Sequence, residues 1–344
     1  MAYSISDLHR NGAPSLIEHL RSQDQWPVSR SSLLKTWLDY IGGVPERTEV
    51  SCETLSEVKM EGHYRRHIRY STAYDDWVSA YLLLPADYVE RPTAVPASGF
   101  PAILALHPAF PSGKEHVVVG EGKYGLELVQ RGYVVLAPDT PEMGEREGLA
   151  TSELCVQYPT WSPIGKMVTD HQYGLDLLCA MERVDPRRIG AIGHSLGAYN
   201  AFFLAGLDSR IRAFAVSCGF STFAGDPRPN RWGLGERMNH LPRLTADLER
   251  GKVPFELNEI AALAAPTPAF FWSGQEDHVF PHWKEISTGM EQLKRLYVFL
   301  GKGERFEYWM GSTGHVFPDE VRELAYRFLD RWLIPEVERG EKST

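Results

Sequence analysis

Short apolar runs recur along the chain from Phe100 onward, and each ends in turn residues before a longer segment with helical spacing. Runs of this kind are typical of strands that are buried on both faces of a sheet. Their alternation with helical segments predicts the doubly wound α/β class, a mostly parallel twisted sheet of about eight strands with helices on both faces. The runs are PAILALH, YVVLAPD, RIGAIGHS, IRAFAVSCG and PAFFWSG, with a last strand expected in RFEYWM.

Three regions depart from this alternation. Residues 1–46 have the spacing of two amphipathic helices, so we expect an N-terminal helical segment that packs on the main domain. Residues 50–84 change to period two, which predicts an antiparallel entry into the sheet. Residues 221–260 are too long for an ordinary connection and rich in Pro, Gly and Arg, which predicts a lid-like insertion in a catalytic domain at 47–337. The charged tail at 338–344 is expected to be disordered.

Composition narrows the class of protein. No stretch approaches the roughly 18 uninterrupted apolar residues of a membrane-spanning helix, and the net charge of −9 is the wrong sign for a nucleic-acid backbone. The four cysteines are too scattered for a disulfide framework and form no Cys-x-x-Cys pair. The N-terminus has no basic region followed by an apolar one, so the expected compartment is the cytoplasm.

The segment RIGAIGHSLGAYN contains the most informative motif, a G-x-S-x-G pentapeptide centred on Ser195. The pentapeptide alone is weak evidence, but an apolar strand runs directly into it and a helix with small residues follows. A strand–turn–helix setting is the one that a nucleophile elbow requires, because Gly193 and Gly197 let the strand and the helix approach closely. The same turn would place the backbone N–H of Leu196 beside a reacting carbonyl.

A serine hydroxyl needs a base to take its proton and a carboxylate to orient that base. His315, in YWMGSTGHVFP, follows the last expected strand, so the base is expected there, with His278 in reserve. Asp277, in FFWSGQEDHVFP, follows another apolar strand and is the expected acid, with Glu276 and Asp247 as alternatives. No resident metal is expected.

A second oxyanion donor should come from the loop after PAILALHPAF. Pro108 has no N–H, which leaves Ala109 as the better candidate and Phe110 as the other. Phe110, His194 and Trp232 are candidate pocket residues, because each lies in or beside a loop that could wall a substrate. For His107 we expect a structural role, holding its loop in place.

Over roughly residues 50 to 335 the chain resembles α/β-hydrolases of the dienelactone-hydrolase and prolyl-oligopeptidase-like esterase group. The segments that carry the resemblance are, in order, LALHPAFPSGKE, VVLAPDTPEMGERE, IGHSLGAYNAFF, FFWSGQEDHVFP and TGHVFP. The resemblance implies a cofactor-free serine hydrolase of the α/β-hydrolase fold, with Ser195, Asp277 and His315 as its triad. Two departures limit what carries over. Many relatives have His-Gly where this chain has His107-Pro108, and dienelactone hydrolases proper use a cysteine nucleophile.

The resulting hypothesis is an esterase that acts on a small-molecule ester, lactone or thioester through an acyl-enzyme. The alternatives are a peptidase or amidase of the oligopeptidase-like type, and a catalytically silent binding protein on the same fold. The chain has no room for the N-terminal β-propeller of oligopeptidases. We also expect that the N-terminal helices could form the contact of a homodimer.

Overall fold

The computed structural model describes residues 2–91, 99–235 and 238–335. These residues form eleven strands and twelve α-helices. The strands are β1 (Tyr3–Ser4), β2 (Cys52–Met60), β3 (His63–Ser71), β4 (Trp77–Pro85), β5 (Phe100–Leu106), β6 (Val134–Pro138), β7 (Val184–His194), β8 (Ile211–Ser217), β9 (Lys252–Val253), β10 (Ala269–Gly274) and β11 (Phe306–Gly311). The helices are α1 (Ile5–Asn11), α2 (Trp26–Ile41), α3 (Ala86–Glu90), α4 (Lys114–Val118), α5 (Tyr124–Gln130), α6 (Thr151–Gln157), α7 (Pro163–Ala180), α8 (Leu196–Leu207), α9 (Pro242–Glu249), α10 (Leu257–Ala262), α11 (Trp283–Phe299) and α12 (Asp319–Leu333).

Nine strands form one sheet in the order β11-β10-β8-β7-β5-β6-β4-β3-β2. From β11 through β6 the neighbours pair in parallel, and β4, β3 and β2 continue the sheet in antiparallel pairs. The predicted α/β class and the antiparallel entry are therefore confirmed, with one strand more than the expected eight. All six apolar runs identified in the sequence are strands of the parallel part.

The sheet is covered on both faces, as strand β5 shows. Its alternate residues Ala102, Leu104 and Leu106 belong to one core cluster, while Ile103 and Ala105 belong to a second. Successive side chains of a strand point to opposite faces, so the two clusters are the two sides of the sheet. The first cluster includes residues of α2, α7, α8, α10 and α11, and the second includes residues of α4, α5 and α12.

The N-terminal segment is part of the main core. Helix α2 buries Trp37 and Ile41 completely, and both belong to the same cluster as the central strands. Strand β1 pairs with β9, in the segment predicted to be an insertion, and the Tyr40 hydroxyl donates to Asp247 at 2.6 Å from the same segment. The N-terminal segment and the predicted insertion, two of the three regions that depart from the α/β alternation, therefore pack against each other.

The segment predicted to be lid-like also contributes side chains to the main core. It contains α9, β9 and the beginning of α10, and its apolar side chains enter the main core. The fully buried Glu256 carboxylate accepts hydrogen bonds from the backbone N–H groups of Phe223, Ala224 and Leu257. Burial raises the pKa of Glu256 to about 7, against the opposing effect of these donors. The lid-like role of the segment stays a prediction, and the tail predicted at 338–344 lies outside the described residues.

The strands of the parallel part end at one edge of the sheet, as parallel strands must. The residues that follow β5, β7, β8, β10 and β11 at this edge include His107, Ser195, Cys218, Asp277 and His315. The structure thus brings together side chains from five separate loops. Within the described residues, no helix combines the length and apolarity needed to cross a membrane.

Candidate active site

Ser195 lies on a tight turn between β7 and α8. Its backbone has φ 54° and ψ −116°, a conformation that a non-glycine residue rarely adopts. A Cβ atom on Gly193 would overlap the backbone of Gly197, and one on Gly197 would overlap the carbonyl oxygen of Leu106. The glycines at these positions let β7, α8 and β5 approach closely enough to hold the strained serine.

The side chains of three loops form a hydrogen-bonded series at this turn. His315 Nε2 lies 2.8 Å from Ser195 Oγ, and His315 Nδ1 lies 2.7 Å from Asp277 Oδ2. These are ordinary hydrogen-bond lengths, so the geometry needs no rearrangement to pass a proton from the hydroxyl to the ring. The structure therefore brings together the three residues that the sequence analysis proposed as nucleophile, base and acid.

Asp277 is held on both of its carboxylate oxygens. Oδ2 faces His315, while Oδ1 accepts the backbone N–H groups of Val279 at 2.8 Å and Phe280 at 3.0 Å. Burial disfavours the charged form, but the hydrogen bonds from His315 and from these two N–H groups outweigh it and lower the pKa of Asp277. The carboxylate is thus buried, ionised and fixed in orientation.

The loop that carries His315 is anchored through the carbonyl oxygen of Val316. That oxygen accepts the Trp272 indole N–H at 3.2 Å and the Ser217 hydroxyl at 3.4 Å. Both donors come from the parallel strands β8 and β10. The position of the imidazole is therefore set by the sheet itself and not by the loop alone.

The backbone N–H groups near Ser195 differ in their availability. The N–H of Ser195 donates to Ser217 O at 2.9 Å, and that of Phe110 donates to Pro108 O at 2.7 Å. Among the described residues, no backbone hydrogen bond outside helices and strands uses the N–H of Ala109, whose residue is exposed. Leu196 is the first residue of α8, where an N–H has no partner within the helix.

His107 ties two loops of this edge together. Its Nε2 accepts the backbone N–H of Thr140 at 3.1 Å, so the ring proton is on Nδ1, which donates to Pro108 O at 2.7 Å. Burial lowers the pKa of His107 and keeps the ring neutral. Beside it, Lys114 Nζ donates to Asp139 at 2.6 Å and to Glu145 at 2.8 Å, so charge pairs order the neighbouring loop.

The candidate pocket residues occupy three different environments. Phe110 is half exposed and its ring lies 4.7 Å from that of His116. His194 Nδ1 lies 3.1 Å from Ser217 Oγ, and its ring lies 4.9 Å from that of His315. Burial, followed by the nearby His315, lowers the pKa of His194 to about 3.

Trp232 is buried, at 2% exposure, and stacks on Phe280 with ring centroids 6.0 Å apart. The Phe280 ring lies 6.0 Å from that of His315. Phe280 therefore contacts both rings, and of these two aromatic residues it is the one whose ring contacts that of His315. Sequence reasoning placed Trp232 in or beside a loop, but it did not show that Phe280 is the ring beside His315.

The reserve residues lie outside the hydrogen-bonded series. Glu276 and His278 are exposed neighbours of Asp277. Asp247 accepts from the Tyr40 hydroxyl and pairs with Arg250. None of these three contacts Ser195 or His315 by a hydrogen bond in the described part of the chain.

Cys218 is the residue at this site whose position sequence reasoning missed. It directly follows β8, it is buried at 2% exposure, and burial raises the pKa of its thiol to about 12. The ligand atoms of Cys218, Asp277 and His315 lie within 4.8 Å of one another, a spacing that can hold a metal ion. The signal available in the sequence was the place of Cys218 at the end of a parallel strand.

Comparison with known proteins identifies the family of the chain. The model of the family described as "Alpha/beta hydrolase family" matches residues 103–338, well over half of the chain. The chain belongs to the alpha/beta hydrolase family. The matched range contains Ser195, Asp277 and His315, so the residues of the hydrogen-bonded series lie in the family's own part of this hydrolase.

Individual relatives of this alpha/beta hydrolase are distant in sequence. A protein of Bacillus subtilis (strain 168) with the name "Putative hydrolase YtaP" is 26% identical over 323 residues, which cover 88% of this chain and all of that protein. A glucuronoyl esterase from Solibacter usitatus has a TM-score of 0.72 at 16% identity, covering 90% of this chain and 94% of that one. A glucuronoyl esterase from Teredinibacter turnerae T7901 has a TM-score of 0.70 at 17% identity, covering 96% and 90%. At these identities the structural likeness shows the fold.

Proposed function

We propose that the protein is a serine hydrolase that cleaves a carboxylic ester, lactone or thioester through an acyl-enzyme on Ser195. The observation that carries the proposal is the continuous series Ser195 Oγ, His315 and Asp277, with contacts of 2.8 and 2.7 Å. The strained backbone of Ser195 supports it further, because strain of this kind is concentrated at functional sites.

In the proposed mechanism, Ser195 Oγ attacks the acyl carbon while His315 Nε2 takes the hydroxyl proton. The imidazolium then gives this proton to the departing alkoxide or thiolate, and a water molecule repeats the steps to release the acid. Asp277 keeps the Nδ1 proton in place and stabilises the charge that forms on the ring. Its buried, ionised carboxylate suits this role.

The developing oxyanion would be stabilised by backbone N–H groups of Leu196 and Ala109. Leu196 offers the N–H at the start of α8, where the helix dipole also favours negative charge. Ala109 is favoured over Phe110, because the Phe110 N–H already donates to Pro108 O. Pro108 has no N–H to contribute, so the second donor is taken from the residue that follows it.

The substrate is proposed to be a small-molecule ester. Several similar structures are described as esterases, including the two glucuronoyl esterases and an acetyl xylan esterase from Paenibacillus sp. R4. Phe280 and Phe110 would offer apolar surface beside the serine. Peptidase or amidase activity is the second candidate, since the same three residues can cleave an amide.

The test is covalent labelling with a fluorophosphonate, read by intact mass and peptide mapping. Such reagents react with a serine that a base activates and an oxyanion site accepts. We expect one adduct, on Ser195, and none on the Ser195→Ala variant. Ser312→Ala is the matched control, because Ser312 is an exposed serine on the histidine loop and its loss should leave labelling unchanged.

A panel of matched aryl esters and aryl amides then distinguishes the two candidates. The esterase proposal predicts a higher kcat/KM for the ester of each acyl group, and loss of both activities in Ser195→Ala. Labelling of a residue other than Ser195, or an unlabelled wild-type protein, would refute the serine mechanism.

A further inference from the structure

The end of β8 brings a thiol to the proposed acid–base pair. The backbone N–H of Cys218 donates to Trp272 O at 2.8 Å, which fixes the residue against β10. Its Sγ contacts Val316 O at 3.5 Å, beside His315. Cys218, Asp277 and His315 thus offer sulfur, oxygen and nitrogen ligand atoms, all within 4.8 Å of one another.

The ligand types determine which ions fit. A thiolate, an imidazole and a single carboxylate suit zinc and the softer cadmium, whereas calcium and magnesium prefer oxygen ligands alone. Ligand atoms around a tetrahedral zinc ion are about 3.5 Å apart. The most distant pair here, at 4.8 Å or less, would have to close by about 1 Å.

A metal ion could reach these three ligands from one side only, as the exposure of their side chains indicates. The side chains of Cys218 and Asp277 are buried at 2% and 3% exposure, while that of His315 is 13% exposed. An ion would therefore enter past His315, from the side where Ser195 lies. Three ligands from the protein would leave a fourth position for water, as in open zinc sites.

We propose that Cys218, Asp277 and His315 form an inhibitory binding site for Zn²⁺ or Cd²⁺. The ion takes the lone pair of His315 Nδ1 and one oxygen of Asp277, which replaces the hydrogen bond between them. The ring proton moves from Nδ1 to Nε2, and the Cys218 thiol proton passes to the solvent as its sulfur binds the ion. No oxidation or reduction takes part, and removal of the ion reverses each step.

Inhibition follows from the change of tautomer and rests on the proposed function. With its proton on Nε2, the ring has no lone pair facing Ser195 Oγ and cannot act as a base. Asp277 is at the same time withdrawn from His315. Binding of the ion, by contrast, depends only on the three ligands, so binding and inhibition can be tested separately.

The binding test titrates Cd²⁺ into the Ser195→Ala protein and follows the ultraviolet charge-transfer absorption of the cadmium–thiolate bond. Ser195 is not a ligand, so this variant keeps the site whether or not the protein hydrolyses esters. We expect saturation that disappears, or an affinity that falls about 100-fold or more, when Cys218→Ser is added. Cys155→Ser is the matched control, because Cys155 is a partly exposed thiol away from this group.

The inhibition test measures ester hydrolysis at increasing Zn²⁺, with each variant compared with its own metal-free rate. We expect the wild-type protein to be inhibited and to recover with EDTA, and Cys218→Ser to need about 100-fold more zinc. Cys218→Ala is a second variant with the same expectation, in case the serine hydroxyl binds the ion or the first variant folds poorly.

The outcomes separate the two proposals. Equal Cd²⁺ affinity with and without Cys218 would overturn the site. Cadmium binding that depends on Cys218, together with an ester hydrolysis rate that zinc leaves unchanged, would overturn inhibition. A protein that binds cadmium through Cys218 and hydrolyses no ester would support the site and refute the proposed function.

Discussion

At the scale of single residues, Asp277 is held at the site by three hydrogen bonds. Its Oδ1 accepts hydrogen bonds from two backbone N–H groups, and its Oδ2 is hydrogen-bonded to His315 Nδ1. Its carboxylate therefore cannot rotate without breaking three hydrogen bonds. A substitution that keeps the shape and removes the charge tests what this arrangement does.

We expect Asp277→Asn to lower kcat/KM for an aryl ester by about 10³- to 10⁴-fold. The amide N–H₂ facing Nδ1 would favour the tautomer with the proton on Nε2, which cannot take the serine proton. Glu276→Gln, at the exposed neighbouring carboxylate, should stay near the wild-type rate. A loss of less than about tenfold in a folded Asp277→Asn protein would argue against Asp277 as the orienting acid.

Sequence reasoning proposed Ser195, Asp277 and His315 because each follows an apolar run at the same predicted edge. It did not find Cys218 by the same argument, although Cys218 also follows such a run. A buried cysteine gives no local signal of its neighbours, and only the pairing of β8 with β10 shows that Asp277 is one of them.

At the scale of elements, the strand–turn–helix around Ser195 depends on close backbone contact. A side chain on Gly197 would overlap the Leu106 carbonyl oxygen, which belongs to β5 and cannot swing away as a flexible side chain could. Gly148, on an exposed loop, has open space where its Cβ would be. Gly148 is therefore a suitable control position for a substitution of Gly197.

We expect Gly197→Ala to lower the free energy of unfolding by about 3 kcal/mol or more, since α8 and β5 must separate to admit the methyl group. Gly148→Ala should change it by less than about 0.5 kcal/mol. Urea unfolding followed by circular dichroism measures both. Equal stabilities would mean that the turn tolerates a wider separation than the structure shows.

Elements that extend over many residues were easier to predict from the sequence than short ones. The helical spacing of residues 26–41 and the apolar runs of the sheet each extend over enough residues to show a period. The two-residue pair of β1 with β9 shows none, and it joins positions about 250 residues apart. This pairing explains why the N-terminal segment and the predicted insertion pack together.

At the scale of the whole molecule, burial of titratable groups couples stability to pH. Burial lowers the pKa of His171 to about 3 and, together with His315, that of His194 to about 3. Between about pH 3 and 6.5 the unfolded chain protonates these rings and the folded chain does not, so stability rises with pH. Glu256, with its pKa raised to about 7, binds a proton in the folded chain between pH 4.5 and 7 and acts in the opposite direction.

We expect His171→Leu to reduce the pH dependence of the unfolding free energy by about 1.4 kcal/mol per pH unit between pH 4 and 6, which corresponds to one proton. Neither ring nitrogen of His171 has a hydrogen-bond partner among the described residues, so the substitution leaves no group unpaired. Denaturant titrations at pH 4, 5 and 6 measure the slope. His19→Gln, at an exposed histidine, is the control, and an unchanged slope in His171→Leu would contradict the prediction.

The sequence by itself determined the α/β alternation, the strand–turn–helix at Ser195 and the loops that carry Asp277 and His315. Periodicity and turn chemistry are local, so they can be found in a single chain without its contacts. Only the tertiary structure decided that Ser195 and His315, 120 residues apart, come within a hydrogen bond, and that Cys218 lies beside Asp277 and His315. Strand order sets these distances, and strand order results from packing among distant segments, which no local pattern encodes.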